Sequence, residues 1–137
     1  MNSFLSLLVP AFIFSTFFIL NPTSAQAEDL ELNFKIERYT SVMGEINIRS
    51  YIKNVEEYEG FRLAAIEIEA GALNESATTN VFVNGTQQGQ TLQLGQVTLK
   101  FFILLETDFF MGRGAEQIKL HTPNPAYIKT VNLILTR

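Results

Sequence analysis

The sequence predicts an all-β protein: a single antiparallel β-sandwich, jelly-roll-like or Greek-key, of about seven to eight strands. Three observations predict it. Through most of residues 28–137, apolar residues recur at every second position, the period of a half-buried strand. Clusters of turn-forming residues interrupt that alternation at the regular spacing expected of all-β domains. No stretch of the same region has the periodicity of a convincing amphipathic helix.

The chain has 137 residues, room for one domain and not two. Its first part is of another kind. "FLSLLVPAFIFSTFFIL" (4–20) is apolar throughout and is followed by Pro22 and by "AQA" at 25–27. An apolar core, a helix breaker and an A-x-A site predict a secretory signal peptide, 1–27, cut after Ala27. No Lys or Arg precedes the core, so an uncleaved anchor is the competing reading. Pro10 within the run and the small-residue site favour cleavage, leaving no stable membrane span in the β-sandwich domain, 28–137.

From residue 29 the strands follow in order. In "DLELNFKIERY", Leu30, Leu32, Phe34 and Ile36 alternate with Glu31, Asn33, Lys35 and Glu37. "TSVMG" supplies a turn, and "EINIRSYIK" repeats the alternation with Ile46, Ile48 and Ile52. The pair is expected to form a hairpin. "NVEEYEG" is a polar connection. In "FRLAAIEIEAG" the apolar phase changes from Phe61 and Leu63 to Ile66 and Ile68, which predicts a bulge near Ala64 and Ala65. "ALNESATT" reads as a loop with at most one helical turn. "NVFVNG" is a short strand that ends in a hairpin-forming Asn-Gly pair.

"TLQLGQVTLKFFILLE" predicts a bent joint. Leu92 and Leu94 share one phase; Gly95 and Gln96 shift it, so that Val97, Leu99, Phe101, Ile103 and Leu105 are expected inward. The glutamines at 87, 88, 90, 93 and 96 then form a wet strand face. Phe102 and Leu104 make the second face of this strand apolar too. Such a strand is either covered within the chain or lies at a partner interface. "TDFFMGRGAE" is a turn, "QIKLH" a strand, "TPNPA" a turn, and "YIKTVNLILT" the last strand, with Tyr127, Val131, Leu133 and Leu135 in one phase.

Composition excludes several functions. Hydrophobic residues are 47% and charged residues 18%, so a packed core is expected. The net charge is -4 with the signs interspersed, and no basic patch points to nucleic acid. With no cysteine, disulfides, thiolate metal sites and a lipid-modified N-terminus are excluded. An exported, disulfide-free domain fits a bacterial cell envelope, periplasmic or extracellular. The sequons at Asn74 and Asn84 are then coincidental.

Catalysis has little to build on. His121 is the single histidine, and none of Ser41, Ser50 and Ser76 sits in a glycine-flanked elbow. The carboxylate pairs Glu67/Glu69 and Glu106/Asp108 lie within strands or at strand ends, with no indication of a shared cleft. Calcium would find oxygens in "NVEEYEG" and "ETD", but no calcium-loop spacing exists. No catalytic residue, metal or cofactor is expected.

Binding remains. Tyr39 and Tyr51 fall in the outward phase of the first two strands beside Glu37, Asn47 and Arg49, a shallow platform for glycan or protein. In "TDFFMGRG", Phe109, Phe110 and Met111 stand next to Arg113 between two glycines, the composition of a binding hot spot. Phe109, Phe110 and Arg113 are the expected binding residues there, with one phenylalanine free to cap the core because neighbours alternate sides. The sequence therefore points to a non-enzymatic module that binds an envelope protein or glycan. The alternative is a structural or adhesive subunit that self-assembles as a weak homo-oligomer through Phe102 and Leu104. Exposure of those two residues would favour assembly.

Overall fold

The computed structural model describes residues 28–137, so the expected signal peptide lies outside the described residues. Eight strands are present: β1 Asp29–Thr40, β2 Gly44–Asn47, β3 Arg62–Ala72, β4 Ser76–Val83, β5 Thr86–Leu94, β6 Leu99–Leu104, β7 Ile118–Thr122 and β8 Ala126–Thr136. They build two four-stranded sheets, ordered β1-β8-β3-β6 and β2-β7-β4-β5, with every pairing antiparallel. Successive strands alternate between the sheets except at the β4–β5 hairpin. This is a jelly roll, and the predicted β-sandwich stands.

The core is aliphatic. Leu63, Ile66 and Ile68 of β3, Val131, Leu133 and Leu135 of β8, and Ile118 and Leu120 of β7 are almost wholly buried. Burial of each such side chain stabilises the fold by about 1.5–3 kcal/mol. In β1, Leu30, Leu32, Phe34 and Ile36 pack on this core while Glu31, Asn33 and Lys35 are exposed, as the alternation required. The bulge expected in β3 is there: its register against β8 slips between Leu63 and Ala65.

The expected β1–β2 hairpin is not. β1 pairs with β8 and β2 with β7, so Ser41–Met43 carries the chain from one sheet to the other. Alternation shows that a strand has one buried face, and two strands facing each other across a sandwich meet that condition as well as two neighbours do. The crossing is fixed by Thr40, whose Oγ1 accepts from Ala126 N (3.1 Å) and from Thr122 Oγ1 (2.7 Å). β2 also stops early. Ile48–Tyr51 forms a 3-10 turn in which Ser50 Oγ donates to Asn47 O at 2.8 Å. Ile48 and Ile52 remain buried all the same. A second 3-10 turn, Val55–Tyr58, occupies the polar connection.

"ALNESATT" is less of a loop than expected, because β4 begins at Ser76. The Asn-Gly hairpin forms as predicted, with positive φ at Asn84 (51°) and Gly85 (84°) and Val83 opposite Thr86.

The phase of β5 is the main correction. After the hairpin the β4–β5 register slips between Val81 and Phe82, which pair with Gly89 and Gln87. Gln88 is therefore an extra residue, and every later side chain in β5 changes face. Thr91 and Gln93 point inward and are buried, while Leu92 and Leu94 are exposed. Gly89 is the first inward position after the bulge. A Cβ there would meet Ile103 Cγ2 at 3.0 Å, so any larger residue would have to displace the Ile103 side chain of β6. The expected inward phase of Val97 and Leu99 is also wrong: both are exposed, and the buried inner face of this segment is reached at Ile103 and Leu105.

The inward polar residues satisfy one another. Gln93 Nε2 donates to Thr79 Oγ1 at 2.8 Å, and Thr91 Oγ1 donates to Gln93 Oε1. Gln93 Nε2 also lies 3.5 Å from the carbonyl of Gly71 in β3, which ties the two sheets. Gln93 thus belongs to the interior and not to the wet face. In β8, Lys129 is a bulge between Thr130 and Ile128, so Tyr127 is out of phase with Val131, Leu133 and Leu135.

Candidate functional surfaces

Three surfaces carry exposed groups that could meet a partner. The first is the outer face of the second sheet. Register places Glu45, His121, Asn80 and Gln90 in one row across β2, β7, β4 and β5, and Asn47, Lys119, Phe82 and Gln87 in the next. Lys119 Nζ lies 3.8 Å from Glu45 Oε1, and both side chains are about half exposed. Gln87 Nε2 donates to Asn80 Oδ1 at 3.4 Å. A shallow depression of about 680 Å³ runs over this face, bounded by Asn84 and Gly85 of the hairpin. Mixed donors and acceptors around the ring of Phe82 suit a polar ligand lying flat. Sequence reasoning missed this surface, because its residues come from four strands and only the register aligns them.

The second surface is the Leu105–Gln117 connection, which contains the expected tip. It does not project as a free loop. Leu63 N donates to Phe109 O (2.8 Å) and Met111 N to Phe61 O (2.8 Å), so the segment runs beside the start of β3. Alternation then divides its apolar residues. Met111 is fully buried and Phe109 packs on the core, which removes both as outward anchors. Phe110 stays 40% exposed, and Arg113 is exposed nearby across a groove from Glu59. Gly112 N and Gly114 N both donate to Glu116 Oε1, at 2.9 and 3.2 Å, fixing the turn.

The tyrosine platform does not assemble. Tyr39 is 69% exposed on the outer face of β1, tilted against Tyr127 with ring centroids 4.7 Å apart. Tyr51 belongs to the 3-10 turn and packs against Phe34, centroids 6.2 Å apart, on the inner face of the same strand. The two rings therefore lie on opposite faces of β1. The expectation failed with the hairpin on which it depended.

The third surface is the open edge of the first sheet. β6 is the terminal strand there. Phe102 and Leu104 are 56% and 67% exposed on its outer face, and Leu99 and Val97, at and before its start, are exposed as well. Phe102 lies opposite the half-buried Glu67 of β3. Of the two alternatives stated for Phe102 and Leu104, cover within the chain is thus not what the described residues provide.

The remaining candidates are dispersed. His121 stands in β7 between Glu45 and Asn80. Glu69 is engaged with Lys129 Nζ at 3.7 Å, and Asp108 with Arg62 at 4.0 Å. Among the described residues no three metal-ligating side chains gather, and no helix is long and apolar enough to cross a membrane.

No protein-family profile matches the chain, and no curated protein matches it. Solved structures do. The coat protein of Tobacco streak virus is similar with a TM-score of 0.57 at 6% identity, over 84% of this chain and 89% of that one. A structure of that coat protein's dimer gives a TM-score of 0.50 at 8% identity, over 80% and 85% of the two chains. The CBM36-1 domain of a multidomain xylanase from the hindgut metagenome of Trinervitermes trinervoides gives 0.48 at 10%, over 79% and 96%. At such identities the likeness to the coat protein is one of fold alone.

Proposed function

We propose that the chain is an exported, non-enzymatic β-sandwich subunit of a bacterial cell envelope, and that it works by self-association. One observation carries the reading: Phe102 and Leu104 are more than half exposed on an unpaired edge strand. An edge that is apolar and flat is a template for pairing, and an exposed apolar patch of this kind marks an interaction site in soluble proteins. Export is supported by the apolar segment and small-residue site of the first 27 residues. Sedimentation velocity of the secreted protein tests the reading. A concentration-dependent dimer or higher species is expected, lost on Phe102→Ser with Leu104→Ser while the melting temperature is kept. A clean monomer at high micromolar concentration overturns it.

The outer face of the second sheet favours a second reading, a binding module for a glycan or peptide of the envelope. Its support is the alignment of two polar rows around Phe82 over the depression. Titration calorimetry with envelope glycan fragments is the check. Binding that disappears in Phe82→Ala with Lys119→Ala, at unchanged melting temperature, supports it; absence of heat with the unaltered protein at millimolar ligand sinks it.

A further inference from the structure

The β6 edge is open to pairing, and its own residues specify the partner and the register. Leu105 N donates to Ala64 O at 3.0 Å, so Leu105 and the residues two and four before it turn their backbone polar groups toward β3. In an antiparallel ladder this direction alternates along the strand. The amides and carbonyls of Lys100, Phe102 and Leu104 therefore face the open edge. The side chains of the same three residues stand on the outer face of the sheet, and the exposed Glu106 lies two residues beyond the end of β6.

We propose that β6 pairs with β6 of a second copy of this chain, antiparallel, about a two-fold axis through Ile103. The inference rests on the self-association reading and deepens it. A two-fold antiparallel pairing of these outward-facing backbone groups must centre on one residue; any residue of β6 satisfies this, and only an axis at Ile103 sets Phe102 opposite the partner's Leu104. Side-chain chemistry decides among these centres. With the axis at Ile103, Phe102 lies opposite the partner's Leu104, and Lys100 opposite the partner's Glu106. On the inner face Phe101 is in register with the partner's Leu105 and Ile103 with the partner's Ile103, but Ile103 and Leu105 are already buried within their own chain, so the outer face decides. With the axis at Phe102, Lys100 would face the partner's Leu104, and Glu106 the partner's Thr98, leaving each charge beside an uncharged group. Cross-strand pairs of opposite charge and of apolar side chains are the stabilising ones. Among the described residues, neither Lys100 nor Glu106 has an intramolecular salt bridge that the pairing would break. The first sheet would continue across the axis as one eight-stranded sheet, and the exposed edge would disappear.

The two-fold makes every change count twice, and this supplies the test. Glu106→Lys alone sets two ammonium groups face to face at both ends of the pairing, the new one opposite the partner's Lys100. Lys100→Glu alone does the same with two carboxylates. Each single variant of the secreted protein is expected to weaken the dimer about tenfold in sedimentation equilibrium at low salt, two surface ion pairs being at stake. The double variant Lys100→Glu with Glu106→Lys restores the pairing and the affinity. A second measurement uses the absence of native cysteine. Ile103→Cys lies on the axis in a non-hydrogen-bonded pair, with Cα atoms about 4.5 Å apart, within disulfide range. It is expected to give a disulfide-linked dimer under mild oxidation, and Phe102→Cys is not. If the unaltered protein is a monomer, the self-association reading itself fails. If it dimerises but the double variant stays weak, or Phe102→Cys bridges in place of Ile103→Cys, self-association stands and the register is overturned.

Discussion

The first sheet has two edges, and they are built in opposite ways. β1 presents Glu31, Asn33 and Lys35 on its outer face. Its ladder with β8 is broken by a bulge after Lys35, where Glu37 takes φ 50°. Charges and bulges are the means by which natural sheets keep an edge from pairing. β6 carries one charge on that face, Lys100 near its start; Phe102 and Leu104 occupy the rest of it, and its register with β3 is unbroken. The same chain therefore protects one edge and leaves the other fit for addition of a strand. Since one edge is protected, exposure of the other is hard to attribute to a fold indifferent to its borders. The comparison supports the proposed self-association through β6 and yields predictions that differ between the edges.

The largest effect comes from the body that both edges share. Leu133 of β8 lies next to β1, and Ile66 of β3 lies next to β6; both side chains are fully buried. Leu133→Ala or Ile66→Ala is expected to destabilise by about 2–5 kcal/mol, since each leaves a cavity in a packed core. Denaturant unfolding measures it. A loss well below that range at either position would mean that the interior beside that edge is loosely packed.

The interior beside β6 holds a second, smaller effect. Gln93 fills the space between β5 and the first sheet and bonds Thr79 and Thr91. Gln93→Ala strands those hydroxyls away from water and is expected to cost about 1–3 kcal/mol. Gln93→Leu would separate volume from polarity. If it proved as stable as the unaltered chain, the network would contribute shape and no net polar stabilisation.

Transplanting one edge pattern onto the other sharpens the comparison directly. Phe102→Asn with Leu104→Lys gives β6 the outer face of β1. Unfolding free energy is expected to stay within about 0.5 kcal/mol, because surface substitutions away from special features rarely do more, while the dimer is lost. The reverse change, Asn33→Phe on β1, is expected to leave the protein's association state as it was, because the bulge after Lys35 still disrupts that edge. New higher oligomers from Asn33→Phe would show that composition alone, and not the bulge, protects β1.

Most of the architecture was legible in residues with simple alternation. β1, the bulge in β3, the Asn84-Gly85 hairpin and β7 all follow from apolar phase and turn chemistry. Sheet membership was not legible: β1 and β2 each show a buried face, and nothing local says whether the two faces are neighbours or opposed. The Gln88 bulge was invisible for a different reason. It sits among glutamines, where no apolar pattern marks a slip, and it reverses the leucines that seemed to define the strand. The candidate surfaces divided along the same line. Phe102 and Leu104 were identifiable because they share one strand. The tyrosine platform failed because it joined two strands, and the polar rows of the second sheet were missed because they join four.

The smallest expected effect is the most direct test of that slip. Counted as an unbroken hairpin from Asn84-Gly85, β5 would place Leu92 and Leu94 inward, opposite the inner face of β4. With Gln88 as an extra residue they point outward, and Thr91 and Gln93 replace them inside. The two registers predict different costs for one substitution. Leu94→Thr puts a β-branched strand former on the surface, so in the observed register stability should change by less than about 0.5 kcal/mol. In the unbroken register the same change would remove a buried leucine and bury a hydroxyl, costing several times as much. Urea unfolding separates the outcomes. The variant also bears on the two edges, because Leu94 is exposed on β5, the edge strand of the second sheet. If pairing through β6 is confined to its own strand, Leu94→Thr leaves the dimer's affinity within about threefold. A loss as large as that of the Phe102 variants would extend the interface onto the second sheet and make β5 part of the same edge.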